Sequence, residues 1–109
     1  MPEIKVLIIE DESATARRLQ KLLAEIKPEI QVLASLESIS QSVAWFALNP
    51  QPDLMFVDIN LSDGLSFSIF EEAEVNCPVV FTTAYDQYAI QAFKVNSIDY
   101  LLKPVNKEA

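Results

Sequence analysis

Dense apolar runs of strand length, separated by stretches of helical spacing, constrain this chain more than any other feature. Ile4-Lys5-Val6-Leu7-Ile8-Ile9, Leu54-Met55-Phe56-Val57 and Val79-Val80-Phe81 are short, rich in β-branched and aromatic residues, and almost without polar interruption. Runs of this kind read as strands buried on both faces, which is the condition of a parallel sheet covered by helices. Between them, Leu19, Leu22, Leu23 and Ile26 recur at helical spacing after Ser13, the expected N-cap, and Pro28 closes that helix. A weaker strand is expected at Gln31–Leu36 and a helix from Ser38 to Leu48 with Val43, Phe46 and Ala47 on one side. Asn49-Pro50-Gln51-Pro52 breaks the pattern before the third strand, Asp53–Asp58.

The second half continues the alternation. Ser62-Asp63-Gly64 is a turn in which Gly64 supplies a positive φ. A third helix is expected over Leu65–Ala73, with Leu65, Phe67, Ile69 and Phe70 apolar. A fourth strand follows at Pro78–Thr83, a fourth helix from Asp86 to about Lys94, and a fifth strand at Ile98–Lys103, stopped by Pro104. The order implies right-handed crossovers, a parallel sheet and helices on both faces, as one domain over residues 1–109. Val105–Ala109 is too short for a packed helix, so the final helix is expected to be truncated or absent: either the chain is cut short there or its cover comes from elsewhere.

Composition removes several chemistries. A single glycine excludes a glycine-rich phosphate loop. The chain has no histidine and one cysteine, Cys77, so it builds neither a Cys/His zinc site nor a Ser-His-Asp or Cys-His pair. Sixteen acidic against eight basic residues give a net charge of −8, a poor match for nucleic acid or an anionic membrane. No apolar stretch is long enough to span a bilayer and no signal-peptide pattern opens the chain, so a cytoplasmic location is expected.

What remains is acidic chemistry at strand ends. Glu10 and Asp11 follow the first strand and Asp58 ends the third. Open α/β sheets place their ligand crevice at the carboxyl edge. If these two strands are neighbours, three carboxylates converge there and call for a cation. Lys103 ends the last strand. Together these residues suggest Mg²⁺-assisted phosphoryl chemistry. Each also has a plainer reading. Asp58 could cap the next loop, Glu10 could be a solvated acid at a helix start, Lys103 a solvated strand-end charge, and Tyr100 an ordinary strand aromatic. Glu12, a third acid in the row, is read as an exposed first-turn residue.

Glu10-Asp11, Asp58, Thr83-Ala84 and Lys103-Pro104 resemble, in order and spacing, the motifs of the receiver domain of two-component response regulators. The segments 81–89 and 98–104 look most like receivers joined to LytTR-type DNA-binding domains. The resemblance implies a CheY-like (flavodoxin-like) five-stranded sheet of order 2-1-3-4-5. It implies Asp58 as phosphoacceptor, Asp11 as a direct Mg²⁺ ligand, Glu10 as a ligand through water, and the backbone carbonyl of Asn60 as a further ligand. Thr83, chosen over Thr82 because it precedes Ala84, would donate its hydroxyl to a phosphoryl oxygen. Lys103, in a cis bond to Pro104, would neutralise charge at Asp58, and Tyr100 would be the switch aromatic.

Two features depart from many receivers: the shorter loop Ile59-Asn60-Leu61-Ser62-Asp63-Gly64, and bulky Tyr85 two positions past Thr83. The implied partners are a sensor histidine kinase, a second copy through the fourth-helix and fifth-strand face, and DNA only through a further output domain. The chain would not be an enzyme beyond its own phosphoryl transfer and dephosphorylation. An aspartate-nucleophile phosphohydrolase is the competing function. It needs an acid two residues after the nucleophile, where Asn60 stands. A pseudo-receiver that only docks a partner is the third reading, and the intact acid set speaks against it.

Overall fold

The computed structural model describes residues 3–83 and 99–102, with the backbone alone at 83 and 99–102. Its elements are β1 (Ile4–Ile9), α1 (Ser13–Ile26), β2 (Ile30–Leu36), α2 (Ile39–Leu48), β3 (Leu54–Asp58), β4 (Asn60–Leu61), β5 (Gly64–Leu65), a 3-10 turn (Ser66–Ser68) running into α3 (Ile69–Glu72), β6 (Val79–Thr83) and β7 (Asp99–Leu102). The five long strands form one sheet in the order β2-β1-β3-β6-β7, every neighbouring pair parallel. With the small β4–β5 ribbon set aside, this is the expected order 2-1-3-4-5. The order reverses between β1 and β3, which makes the carboxyl ends of those two strands the topological switch point.

The buried strands divide their side chains between two cores by simple alternation. Leu7, Ile9, Met55, Val57 and Phe81 face the side of α2 and α3, where they pack with Ile39, Phe46 and Ile69. Val6, Ile8, Phe56 and Val80 face α1 and meet Ala16, Leu19 and Leu23. Phe81 is fully buried, with ring centroids 5.1 Å from Phe67 and 5.7 Å from Phe70. β2 alternates partly buried and exposed positions, as an edge strand does.

The structure differs from the sequence expectation at four places. Ser13 is the first residue inside α1, not its cap. Glu12 holds the cap position without a side-chain cap bond, and its carboxylate instead accepts from the Thr15 hydroxyl. Ile26, on the last turn of α1, is exposed. On α2 the buried residues are Ile39, Ser42 and Phe46, with Val43 partly buried, whereas Ala47 is exposed. The spacing 39, 42, 43, 46 is one helical face, and 47 lies off it. The third helix is shorter than expected, because Asn60–Leu65 fold as an antiparallel ribbon and Leu65 is drawn into β5. The expected fourth helix and residues 103–109 lie outside the described residues.

Candidate functional site

β1 and β3 are in register with Ile9 opposite Val57, so Glu10, just past β1, and Asp58, the last residue of β3, stand at the same level. The Glu10 N–H donates to Leu36 O at 2.8 Å, which keeps the chain extended one residue beyond β1. Glu10 is 4% and Asp58 6% exposed, so two carboxylates are nearly buried side by side. Asp11 is exposed. One carboxylate oxygen from each of Glu10, Asp11 and Asp58 lies within 4.8 Å of the other two. The convergence expected from strand order is therefore present as geometry.

Local hydrogen bonds fix this arrangement. The Glu12 N–H donates to Glu10 Oε2 at 3.2 Å, so the turn into α1 orients that carboxylate. The Asn60 N–H donates to Asp58 Oδ1 at 3.3 Å. The Ile59 N–H donates to Thr82 O at 3.1 Å, which carries the β3–β6 ladder one step past Asp58. The bonds from the Glu12 and Asn60 N–H groups aim the two carboxylates. Asn60 Nδ2 and Ser66 Oγ are buried without a hydrogen-bond partner among the described residues.

A set of hard oxygen donors this close suits a small divalent cation. In octahedral Mg²⁺ with bonds of 2.0–2.1 Å, opposite ligand atoms lie about 4.2 Å apart and adjacent ones about 2.9 Å, so oxygens within 4.8 Å of one another suit an ion held partly through water. The charge of such an ion would also remove the repulsion among the three acids.

The other expected residues are placed as follows. Thr82 is buried and stands opposite Asp58 in the sheet. Thr83 is the last residue of β6, and its backbone pairs with Leu102. The backbone of Tyr100 pairs with Phe81. Lys103 and Pro104 lie outside the described residues. Glu12 is exposed and is not one of the three clustered acids.

Sequence reasoning missed Asp63. Its Oδ1 accepts from the Ile39 N–H at 2.8 Å and its Oδ2 from the Ser40 N–H at 3.2 Å, joining the turn after Asp58 to the start of α2. The Ile39 bond, with help from Ser40 and from the residue's own backbone, holds the Asp63 carboxyl below its ordinary value against some desolvation. A turn aspartate is the only sequence signal here, and its partners are 24 and 23 residues away. Among the described residues, no helix is long and apolar enough to cross a membrane.

Comparison with known proteins identifies the family of the chain. The chain is 37% identical over 108 residues to the sensory transduction protein LytT of Bacillus anthracis, covering 96% of this chain and 43% of that protein. It is 38% identical over 106 residues to LytT of Enterococcus faecalis, covering 94% and 43%. It is 33% identical over 108 residues to the transcriptional regulatory protein LytR of Staphylococcus aureus, covering 96% and 43%. The chain thus spans less than half the length of the curated relatives it matches. Among solved structures, a two-component response regulator from Clostridium difficile superposes with a TM-score of 0.82 at 29% identity, covering 97% of this chain and 88% of that one. The response regulatory domain of mrkE from Klebsiella pneumoniae gives 0.84 at 25% identity, covering 95% and 86%. The family model for the response regulator receiver domain matches residues 6–109, and the chain belongs to that family: it is a receiver domain of a two-component response regulator.

Proposed function

We propose that Asp58 is the residue that carries the phosphoryl group. The observation behind this reading is the convergence of Glu10, Asp11 and Asp58 at the switch point of the sheet. In the transfer, an Asp58 carboxylate oxygen attacks the phosphorus of a kinase phosphohistidine. The new P–O bond forms as the P–N bond breaks, and the electron pair returns to the imidazole nitrogen. The product is an acyl phosphate. Phosphoryl transfer of this kind is governed by positioning and charge neutralisation.

Asp11 directly, Glu10 through water, and Asp58 and the Asn60 carbonyl would hold Mg²⁺. The ion would supply charge neutralisation to the phosphoryl oxygens and relieve the acid cluster. The Asn60 N–H keeps Asp58 Oδ1 engaged, which aims the carboxylate. Thr83 donates its hydroxyl to the phosphoryl group, Lys103 neutralises a further oxygen, and Tyr100 senses the change. Hydrolysis of the acyl phosphate on the same site ends the signal. In the whole protein, in the cytoplasm, the switch acts on a LytTR DNA-binding domain. The relatives support this, since one is described as a transcriptional regulatory protein. Pairing of two copies through the fourth-helix and fifth-strand face belongs to the same reading, and light scattering over a wide concentration range tests it.

Radiolabelled acetyl phosphate with Mg²⁺ tests the chemistry. The chain should take up label that hydroxylamine releases, since hydroxylamine cleaves acyl phosphates. Label that survives hydroxylamine would place the phosphoryl group on a hydroxyl and remove Asp58 from the role.

A further inference from the structure

The loop after Asp58 is short because it is a tight hairpin. Asn60 pairs with Leu65 and Leu61 with Gly64, and the Ser66 N–H donates to Ile59 O at 2.8 Å, adding a third rung. Only Ser62 and Asp63 remain as the turn. Gly64 completes it at φ 139°, where an L side chain is strained.

The hairpin is fastened at both ends. At its base, the Asn60 N–H bonds Asp58 Oδ1, and the Ile59 N–H bonds Thr82 O. At its tip, the Asp63 carboxylate takes the first two N–H groups of α2. A helix start leaves such groups without intrahelical acceptors. The third, that of Gln41, goes to Ser38 Oγ at 3.1 Å. Two of the three acceptors at the start of α2 therefore come from the loop that follows Asp58. Beside the tip is a groove of about 510 Å³, lined by Ile39, Ser40, Val43, Asp63, Ser68 and Glu72. Ile59 and Leu61 are buried in one core with Ile39, and the Asp63 bonds add to that packing a polar tie from the tip of the hairpin to α2.

We infer that Asp63 is a positioning residue for the divalent cation site, acting through the hairpin on the peptide of Asn60. The inference rests on the reading of Glu10, Asp11, Asp58 and Asn60 as that site. Releasing the tip loosens the turn of the hairpin, and the Asn60 peptide is held less firmly in its orientation beside Asp58. The cation is then held less tightly, while Asp58, the nucleophile, is intact.

The test is Mg²⁺ titration by calorimetry, together with acetyl phosphate labelling at graded Mg²⁺, on wild type, Asp63→Ala, Asp63→Asn and Gln51→Ala. Partners one shell beyond a metal's ligands typically change affinity 10–100-fold, and Asp63 acts further out, so Asp63→Ala should weaken Mg²⁺ binding about three- to tenfold. Half-saturating Mg²⁺ for labelling should rise by the same factor, while the labelling rate at saturating Mg²⁺ stays near wild type. Asp63→Asn keeps one acceptor oxygen and should show a smaller rise. It also decides the question if Asp63→Ala does not fold.

Gln51→Ala controls for lost stability alone. Gln51 bridges Glu74 O and the Asn76 N–H, both at 2.8 Å, before the amino end of β3 and away from the acids. It should lower stability and leave the Mg²⁺ dependence unchanged. Unchanged Mg²⁺ affinity in both Asp63 variants, or an equal loss in Gln51→Ala, overturns the inference and leaves the phosphoacceptor reading standing. A wild type that takes up neither Mg²⁺ nor label overturns both.

Discussion

Replacing Asp58 by Asn should make the metal-free protein more stable. The substitution keeps the side-chain shape and an oxygen for the Asn60 N–H, and removes one charge from the cluster. Two carboxylates 4.8 Å apart repel by about 3–4 kcal/mol at an effective dielectric constant of 20, and by about 1 kcal/mol in water-like surroundings. Glu10 and Asp58 are both buried, so their pair lies nearer the larger figure, while exposed Asp11 is well screened. Glu10 and Asp58 each make a further interaction, so the net effect is taken as a fraction of that figure. A net gain of about 1–2 kcal/mol is expected in EDTA at low ionic strength, and each kcal/mol raises Tm by about 4–8 °C in a domain of this size.

Mg²⁺ should reverse the order. A ligand at a hundred times its Kd stabilises the fold by about 2.7 kcal/mol, and Asp58→Asn should lose most of that gain. Urea and thermal unfolding, each with EDTA and with Mg²⁺, measure both effects. An Asp58→Asn variant less stable than wild type in EDTA, or stabilised equally by Mg²⁺, refutes the repulsion argument.

Three further outcomes are expected. Asp11→Ala should weaken Mg²⁺ binding more than Glu10→Ala in calorimetric titration, since Asp11 is assigned the direct bond; the opposite ranking exchanges their roles. Gly64→Ala should cost about 1 kcal/mol or more in urea unfolding, because φ is 139° and the added Cβ would lie 3.3 Å from Ile39 Cδ1; a neutral substitution would mean that the hairpin readily adopts another turn. The folded-state pKa of Asp63 lies below its ordinary value of 3.8, so its stabilising bonds are fully present above that value and fade as pH falls through the lowered one. The stability difference between wild type and Asp63→Asn should accordingly be constant near neutrality and shrink only in strong acid. A difference that closes while pH is still above that ordinary value contradicts the assignment.

The strands and the acid cluster were legible in the sequence because their signals are local. Ile4–Ile9 and Leu54–Val57 are apolar at nearly every position, which only a strand covered on both faces requires. The carboxylates follow directly, at the edge where such sheets bind ligands. The misread parts depend on distant partners. Leu65 looked helical, but pairing with Asn60 drew it into a ribbon that apolar spacing does not encode. Ala47 looked buried because alanine is tolerated on either face of a helix, and the true face is set by where Ile39, Ser42 and Phe46 meet the sheet. Ser13 has a capping side chain, but α1 already begins at Ser13, so Glu12 holds the cap position. Asp63 shows the limit most plainly. A turn aspartate commonly bonds its own loop, and only the fold brings the start of α2 within reach.

The central claim, that Asp58 is the single phosphoacceptor, is tested most directly by intact mass after incubation with acetyl phosphate and Mg²⁺. Wild type should gain the mass of one phosphoryl group. It should gain nothing in EDTA, and Asp58→Asn, folded by circular dichroism, should gain nothing in either condition. The same mass gain in Asp58→Asn as in wild type would contradict the account.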